Sequence, residues 1–224
     1  MKGSVVAVSG IDTGIGKTFA TGLLAKALLK KGTNVITQKI VQTGCEGIAE
    51  DILEHRRLMG IGLQEVDREG FTSPYVFHYP SSPHLAARME GIEIDVLNIR
   101  QATSALQKRY ELVLLEGVGG LLVPLTHEVL FADYIRDAGY ELVLVTGPRL
   151  GSISHTLLSI EACVKRGIVI RGVIYNRFQS TDKMIADDTR EVICHYLNKA
   201  GSTAPVIDLR DGLLEEDVTA RLFL

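Results

Sequence analysis

The residue types best suited to chemistry stand close together near the N-terminus, in the run GIDTGIGKT at Gly10–Thr18. A short apolar, β-branched segment precedes this run and a helical pattern follows it, which is the order of a phosphate-binding loop. Backbone N–H groups of such a turn, with the N-terminus of the next helix, converge on phosphate oxygens. Gly14 and Gly16 leave room for close approach, Lys17 can reach the β- and γ-phosphates, and the Thr18 hydroxyl can ligate Mg²⁺. The strict motif wants glycine where Ile11 stands, and here Gly10 lies one residue earlier. Read locally, the same residues also describe a glycine turn capping the first helix, with Lys17 in solvent.

A nucleoside triphosphate site needs carboxylates for a hydrated metal ion, and Asp51 and Glu116 are the candidates. Glu116 leaves the end of an apolar run, and Gly117, Gly119 and Gly120 would let its loop pass close to phosphate. Alone, Glu116 also reads as an ordinary acid at a strand end, and Asp51 as a helix cap. Lys39 ends a second apolar run and Thr43 follows shortly after. A lysine there can neutralise charge on a transferring phosphoryl group, or it can be a surface lysine. Asp12 serves turn geometry or catalysis. His84 and His155 have no partner at metal spacing and suit solvated or capping roles. Nothing local activates Cys45 as a nucleophile.

These residues need a scaffold, and the chain supplies short apolar runs alternating with amphipathic helices. Strands are expected at 4–9, 34–40, 111–115, 141–145 and 168–175, with a short extended piece at 121–125. Helices are expected at 17–31, 51–59, 94–110, 131–138, 153–166 and 182–198. The segment 60–73 has weak periodicity, 74–83 reads as an irregular, proline-rich excursion, and the tail from 204 onward is ambiguous. The alternation predicts an α/β fold of phosphate-loop NTPase type, with three αβα layers. Its mostly parallel central sheet carries helices on both faces, in one domain spanning residues 1–224.

Bulk properties narrow the function. The 224 residues carry 24 basic against 27 acidic side chains, a formal charge of −3, so no basic field points to nucleic acid. Three scattered cysteines build neither a disulfide framework nor a metal cluster, which suits a reducing, cytoplasmic setting. The apolar N-terminal run is too short to span a bilayer, so no membrane association is expected.

Taken together, six segments resemble the dethiobiotin synthetase family: GIDTGIGKT, QKIVQTG at Gln38–Gly44, SSPHLAA at Ser81–Ala87, EGVGGLLVPL at Glu116–Leu125, TGPRLGSISHTLL at Thr146–Leu158 and GVIYNR at Gly172–Arg177. They follow the family's order over roughly the first 180 residues, and the shifted glycine is the family's own loop variant. The resemblance implies a C–N-forming cyclo-ligase that turns 7,8-diaminopelargonate, CO₂ and ATP into dethiobiotin, ADP and phosphate. Its implied path runs through a carbamate and a carbamic–phosphoric anhydride. By the same resemblance Asp12, Thr13, Gly14, Ile15, Gly16, Lys17 and Thr18 cradle the nucleotide, with Glu116, and Asn176 meets the adenine. Thr18, Asp51 and Glu116 surround Mg²⁺, and Lys17, Lys39 and Thr13 carry the catalysis. Thr43, Lys39 and Gly119 line the diamine and carbamate site. Leu150, Gly151 and Ser154 take the substrate carboxylate across the interface of a homodimer.

The chain departs from the family where Ile40 replaces the usual proline and Ser154 a common asparagine. It also lacks the glycine–proline segment that helps cradle adenine, having APVIDL at Ala204–Leu209, which leaves nucleobase selectivity open. Two other classes compete. A related amidating ligase would bring a glutaminase domain, for which there is no room. A partitioning switch would carry a second lysine in the loop, and positions 12 and 14 hold Asp and Gly.

Overall fold

The computed structural model describes residues 2–179, 182–215 and 217–223. Strand β1 (Ser4–Gly10) enters the core along VVAVSG and hands over to the glycine loop, after which α1 (Lys17–Lys30) begins. Strand β2 (Val35–Lys39) is buried throughout, and a two-residue β3 (Gln42–Thr43) leads into α2 (Glu50–Met59). A short helix α3 (Glu65–Arg68), a two-residue β4 (Val76–Phe77) and α4 (Pro83–Met89) precede α5 (Val96–Gln107). The chain continues through β5 (Leu112–Gly120), α6 (Phe131–Ala138), β6 (Glu141–Thr146), α7 (Ser152–Arg166) and β7 (Ile170–Asn176). It closes with α8 (Lys183–Lys199), β8 (Val206–Arg210), β9 (Leu213–Leu214) and α9 (Val218–Phe223).

A seven-stranded sheet in the order β2-β5-β1-β6-β7-β8-β9 is parallel except for β9, with helices flanking it in three layers. Residues such as Ala7, Val8, Leu114, Leu115, Val143, Leu144 and Val173 are fully buried, as strands covered on both faces require. From β1 the chain crosses to β2 on one side, and from β5 to β6 on the other. The carboxyl end of β1 therefore lies at the crevice where open α/β sheets bind ligands.

Several expectations need correction. The segment 121–125 is a turn carrying only an isolated bridge, Pro124 to Leu130. Its apolar character serves burial of Leu121 and Leu125, and extended pairing ends before it, with Gly10 opposite Gly120. The excursion at 74–83 contains β4, which pairs in parallel with β3, and its last proline opens α4. Pro is at home there, since the first helical N–H needs no partner. The tail extends the sheet, and α9 packs against α1. Of that tail, Glu216 and Leu224 lie outside the described residues, as does Met1 at the other end of the expected domain. Among the described residues no helix is long and apolar enough to cross a membrane.

Candidate active site

The carboxyl ends of β1, β2 and β5 lie side by side, with Lys39 opposite Glu116 and Gly10 opposite Gly120. They open into a cleft of about 820 Å³ lined by Thr13, Gly14, Gly16, Lys17, Thr18, Lys39, Thr43, Asp51, Glu116 and Gly119, among others. Gly16 caps α1 with φ 101°, in the left-handed region, and a Cβ there would run into the Asn176 amide. Only glycine suits that position on both counts. Asn176 holds the loop from behind, its Nδ2 donating to the Ile15 carbonyl at 2.9 Å while its Oδ1 accepts from Phe178 N at 3.2 Å. The Ile15 side chain is buried in the core, so only its backbone is available to a ligand.

The floor of the cleft is a buried ionic cluster. Lys39 Nζ donates to Glu116 Oε1 at 2.9 Å and to the Gly117 carbonyl at 2.8 Å, and lies 2.6 Å from Asp51 Oδ2. Thr18 Oγ1 donates to Asp51 Oδ1 at 3.0 Å and lies 3.4 Å from Glu116 Oε1. His55 Nε2 is 2.8 Å from Glu116 Oε2. Burial alone would raise the Glu116 carboxyl, but Lys39 and His55 outweigh it and hold the group far below the usual carboxylate range. Burial likewise opposes charge on Lys39, and Glu116 and Asp51 overcome it, keeping the ammonium above the ordinary lysine value.

Lys17 is in the opposite condition. Its Nζ donates to the Asp12 carbonyl at 3.0 Å, and burial, reinforced by the neighbouring Lys39, lowers its pKa to about 8. A lysine so placed gains from any anion entering the cleft. The Asp12 carboxylate accepts from Thr13 N at 2.7 Å and pairs with Arg149 from the β6–α7 loop, with His155 3.9 Å away. Burial opposes charge on Asp12, but the Thr13 N–H and Arg149 leave its pKa lowered.

For a metal ion, the available donors are the Thr18 hydroxyl and the Asp51 and Glu116 carboxylates. Among the described residues no group of three or more His, Cys, Asp or Glu side chains gathers to hold a metal by itself. Two carboxylates and a hydroxyl form a hard-oxygen set of the sort Mg²⁺ takes when waters and substrate phosphates complete its shell. These residues fit that ion.

The cleft brings together the expected phosphate, metal and carbamate residues. Leu150, Gly151 and Ser154 stand apart from it: all three are exposed, Leu150 to 92%, and none lines the cleft of its own chain. Reading the residues alone missed His55, Arg149 and the turn Pro80–Pro83, which also lines the cleft. The spacing of His55, four residues after Asp51, carried a usable signal, because it puts both on one face of α2.

A family described as AAA domain matches residues 4–207. The ATP-dependent dethiobiotin synthetase BioD of Chlorobaculum tepidum is 65% identical over 210 residues, covering 93% of this chain and 88% of that protein. The chain belongs to the dethiobiotin synthetase family. A second dethiobiotin synthetase, from Haemophilus influenzae, is 52% identical over 82% of this chain and 96% of its own length. Among solved structures, a ParA family ATPase from Chlorobium tepidum superposes with a TM-score of 0.54 at 16% identity, covering 93% of this chain and 85% of that one. A ParA protein solved on nonspecific DNA gives 0.53 at 13% identity, over 88% and 75% of the two chains. At such identities the likeness is one of fold, and it bears out the three-layer α/β architecture. The second loop lysine expected of a partitioning switch is absent from this dethiobiotin synthetase loop, where Asp12 and Gly14 stand.

Proposed function

We propose that this chain, as one domain, is an ATP-dependent dethiobiotin synthetase that joins CO₂ to the two amino groups of 7,8-diaminopelargonate. The observation that carries the reading is the convergence of Lys17, Lys39, Thr13 and Thr18 on one cleft floored by Glu116 and Asp51. The nitrogen of the 7-amino group attacks CO₂, loses a proton and becomes a carbamate. A carbamate oxygen then attacks the γ-phosphorus of ATP, the bond to ADP breaks, and a carbamic–phosphoric anhydride forms. The 8-amino nitrogen attacks the carbonyl carbon, the five-membered urea closes, phosphate leaves and a proton is released to solvent or phosphate.

Every step gathers anionic oxygen, so the protein's task is to place cations and N–H donors where charge develops. Lys17, electrically strained by burial, meets the β- and γ-phosphates, while the loop N–H groups from Thr13 to Thr18 surround them. Lys39 stands between the phosphate end and Thr43, where its ammonium offsets charge on the attacking carbamate. Thr13 orients that carbamate beside Gly119. Mg²⁺, held by Thr18, Asp51 and Glu116, supplies further positive charge to the phosphate oxygens when bound.

Leu150, Gly151 and Ser154 take the substrate carboxylate from a second copy in a homodimer. Their exposure away from their own cleft is what a site completed in that way needs. Asn176, already seated on the loop, meets the adenine with the remaining hydrogen of its amide. The reaction calls for neither nucleic acid nor membrane, and a cytoplasmic setting fits it.

The test is phosphate release from ATP and Mg²⁺ with and without 7,8-diaminopelargonate plus bicarbonate, with the organic product weighed by mass spectrometry. Diamine-dependent release with a product heavier by one carbonyl supports the reading, and a parallel run with GTP reads nucleobase selectivity. Hydrolysis indifferent to the diamine sinks it.

A further inference from the structure

Glu116 is wholly buried, and its two oxygens have different partners. Oε1 faces Lys39 and Thr18, whereas Oε2 is engaged by His55 at 2.8 Å. His55 is itself fully buried, and its Nδ1 has no hydrogen-bond partner among the described residues. The Glu116 carboxylate can only accept, so the Nε2 that meets it at 2.8 Å carries the proton. A proton on Nε2 is bonded to the carboxylate and leaves Nδ1 as a bare acceptor, whereas a proton on Nδ1 would bury an unpaired N–H, the costlier arrangement.

The terminal torsion of a glutamate is broad and two-fold, so the carboxylate does not hold its own orientation. Helix α2 supplies what is missing. Asp51 and His55 lie one helical turn apart, so the same face that sets Asp51 against Lys39 and Thr18 also sets His55 against Glu116. Close packing of α1 and α2 makes this reach possible. A Cβ on Gly22 of α1 would stand 2.6 Å from Leu58 Cδ1 and 3.4 Å from His55 Cα.

We propose that His55 is a positioning residue: its Nε2–H holds Glu116 Oε2 so that Oε1 is presented to the metal and phosphate end of the cleft. The ligand it serves, Mg²⁺ with the nucleotide, rests on the function proposed above. The residue acts through Glu116 and touches no substrate.

The test uses the full chain with His55→Gln, His55→Asn and His55→Leu. A glutamine amide nitrogen can stand where Nε2 stands, an asparagine amide nitrogen reaches only to Nδ1, and leucine offers no donor. Binding of ADP is measured by titration calorimetry with and without Mn²⁺, bound Mn²⁺ is read by electron paramagnetic resonance, and thermal unfolding is followed without ligand. The expected result is a loss of about tenfold or more in the Mn²⁺-dependent part of ADP binding for H55N and H55L, with H55Q close to wild type. Should H55L not fold, the contrast between H55Q and H55N decides the matter. The idea is overturned if all variants bind Mn²⁺ and ADP like wild type. It is equally overturned if H55Q falls with H55L in step with lost thermal stability. Wild type showing no metal-dependent ADP binding would remove both this inference and the metal set, whereas failed diamine turnover with the expected binding pattern would remove only the proposed reaction.

Discussion

Two strand carboxylates of the same sheet, Asp208 on β8 and Glu116 on β5, have surroundings that differ in a way that separates a working site from a structural one. Asp208, on β8, is met by Arg177 at 2.6 Å, Arg190 at 2.9 Å and Arg210 at 2.9 Å. Arg190 also bonds the Val206 carbonyl, and Arg177 lies over the Tyr175 ring, so these guanidinium groups clamp β7, β8 and α8 together. Cations outnumber the acid there, and planar forks fix the geometry. Glu116 of β5 and Asp51 of α2 share one contacting lysine among the described residues, Lys39, on a flexible stem beside an open cleft. Two negative charges against one contacting ammonium leave a deficit that a divalent cation can fill. The acid with a surplus of arginines holds the fold, and the acids with too few cations await a ligand.

Substitution at the two clusters breaks or sharpens this contrast. Lys39→Gln removes the ammonium that contacts buried Glu116 and half-buried Asp51, and should lower kcat by on the order of a hundred- to a thousand-fold. Steady-state phosphate release measures it, and a loss below tenfold would remove Lys39 from the chemistry. Asp208→Asn should do the reverse. It removes the anion that Arg177, Arg190 and Arg210 share, leaving Arg177 only its pair with Asp187, and should cost about 2 kcal/mol of stability in denaturant unfolding, while kcat at a permissive temperature stays within about twofold of wild type. Equal losses of activity and stability at both clusters would erase the distinction.

Gly22→Ala should fall between the two ends. Alanine favours the helix by about 1 kcal/mol over glycine, but its methyl would press on Leu58 and the backbone of His55, an overpacking that costs about 1–3 kcal/mol. The net expectation is a loss of about 1 kcal/mol, with Mg²⁺-dependent ADP binding weakened as well because α2 carries both Asp51 and His55. A stabilised protein with unchanged binding would show that α2 is free to move away.

The same contrast explains what could be read from residue types. The glycine loop was legible because phosphate binding needs Gly, Lys and Thr at set spacing between a strand and a helix, all of it local. Lys39 was legible as a strand end and Glu116 as the acid that closes an apolar run, although β5 runs on past Glu116 to Gly120. For His55 the spacing gave only a shared helix face with Asp51; its contact with Glu116, 61 residues away, comes from helix packing that brings the two within 2.8 Å. The extension of β5 through three glycines was hidden because its pairing with β1 is made by backbone, to which side-chain type gives no guide. Likewise α4 was obscured by prolines that mark irregular chain in most contexts and a helix start in this one. The Asp208 cluster, whose arginines lie on β7, β8 and α8 and their ends, exists only after the sheet has formed.

The smallest expected effect is the most diagnostic of which lysine meets the phosphates. Lys17 sits at a pKa of about 8 because burial and Lys39 disfavour its charge, while Lys39 is held charged by Glu116 and Asp51. Anionic phosphate arriving at Lys17 restores the preference for its protonated form, so the bound pKa lies above the free one. Below pH 7 Lys17 is charged before and after binding and takes up no proton. Between pH 8 and 9 the free lysine is largely neutral and the bound one charged, so ADP binding must take up part of a proton, and affinity must fall as pH rises. From pH 7.5 to 8.5 the loss should be about threefold. Calorimetry in buffers of different ionisation enthalpy reads the uptake directly. Lys17→Arg, charged throughout this range, should abolish the uptake even if it binds more weakly. Uptake that persists in that variant would move the titrating group elsewhere, and no uptake in the wild type would mean that phosphate does not sit against Lys17 at all.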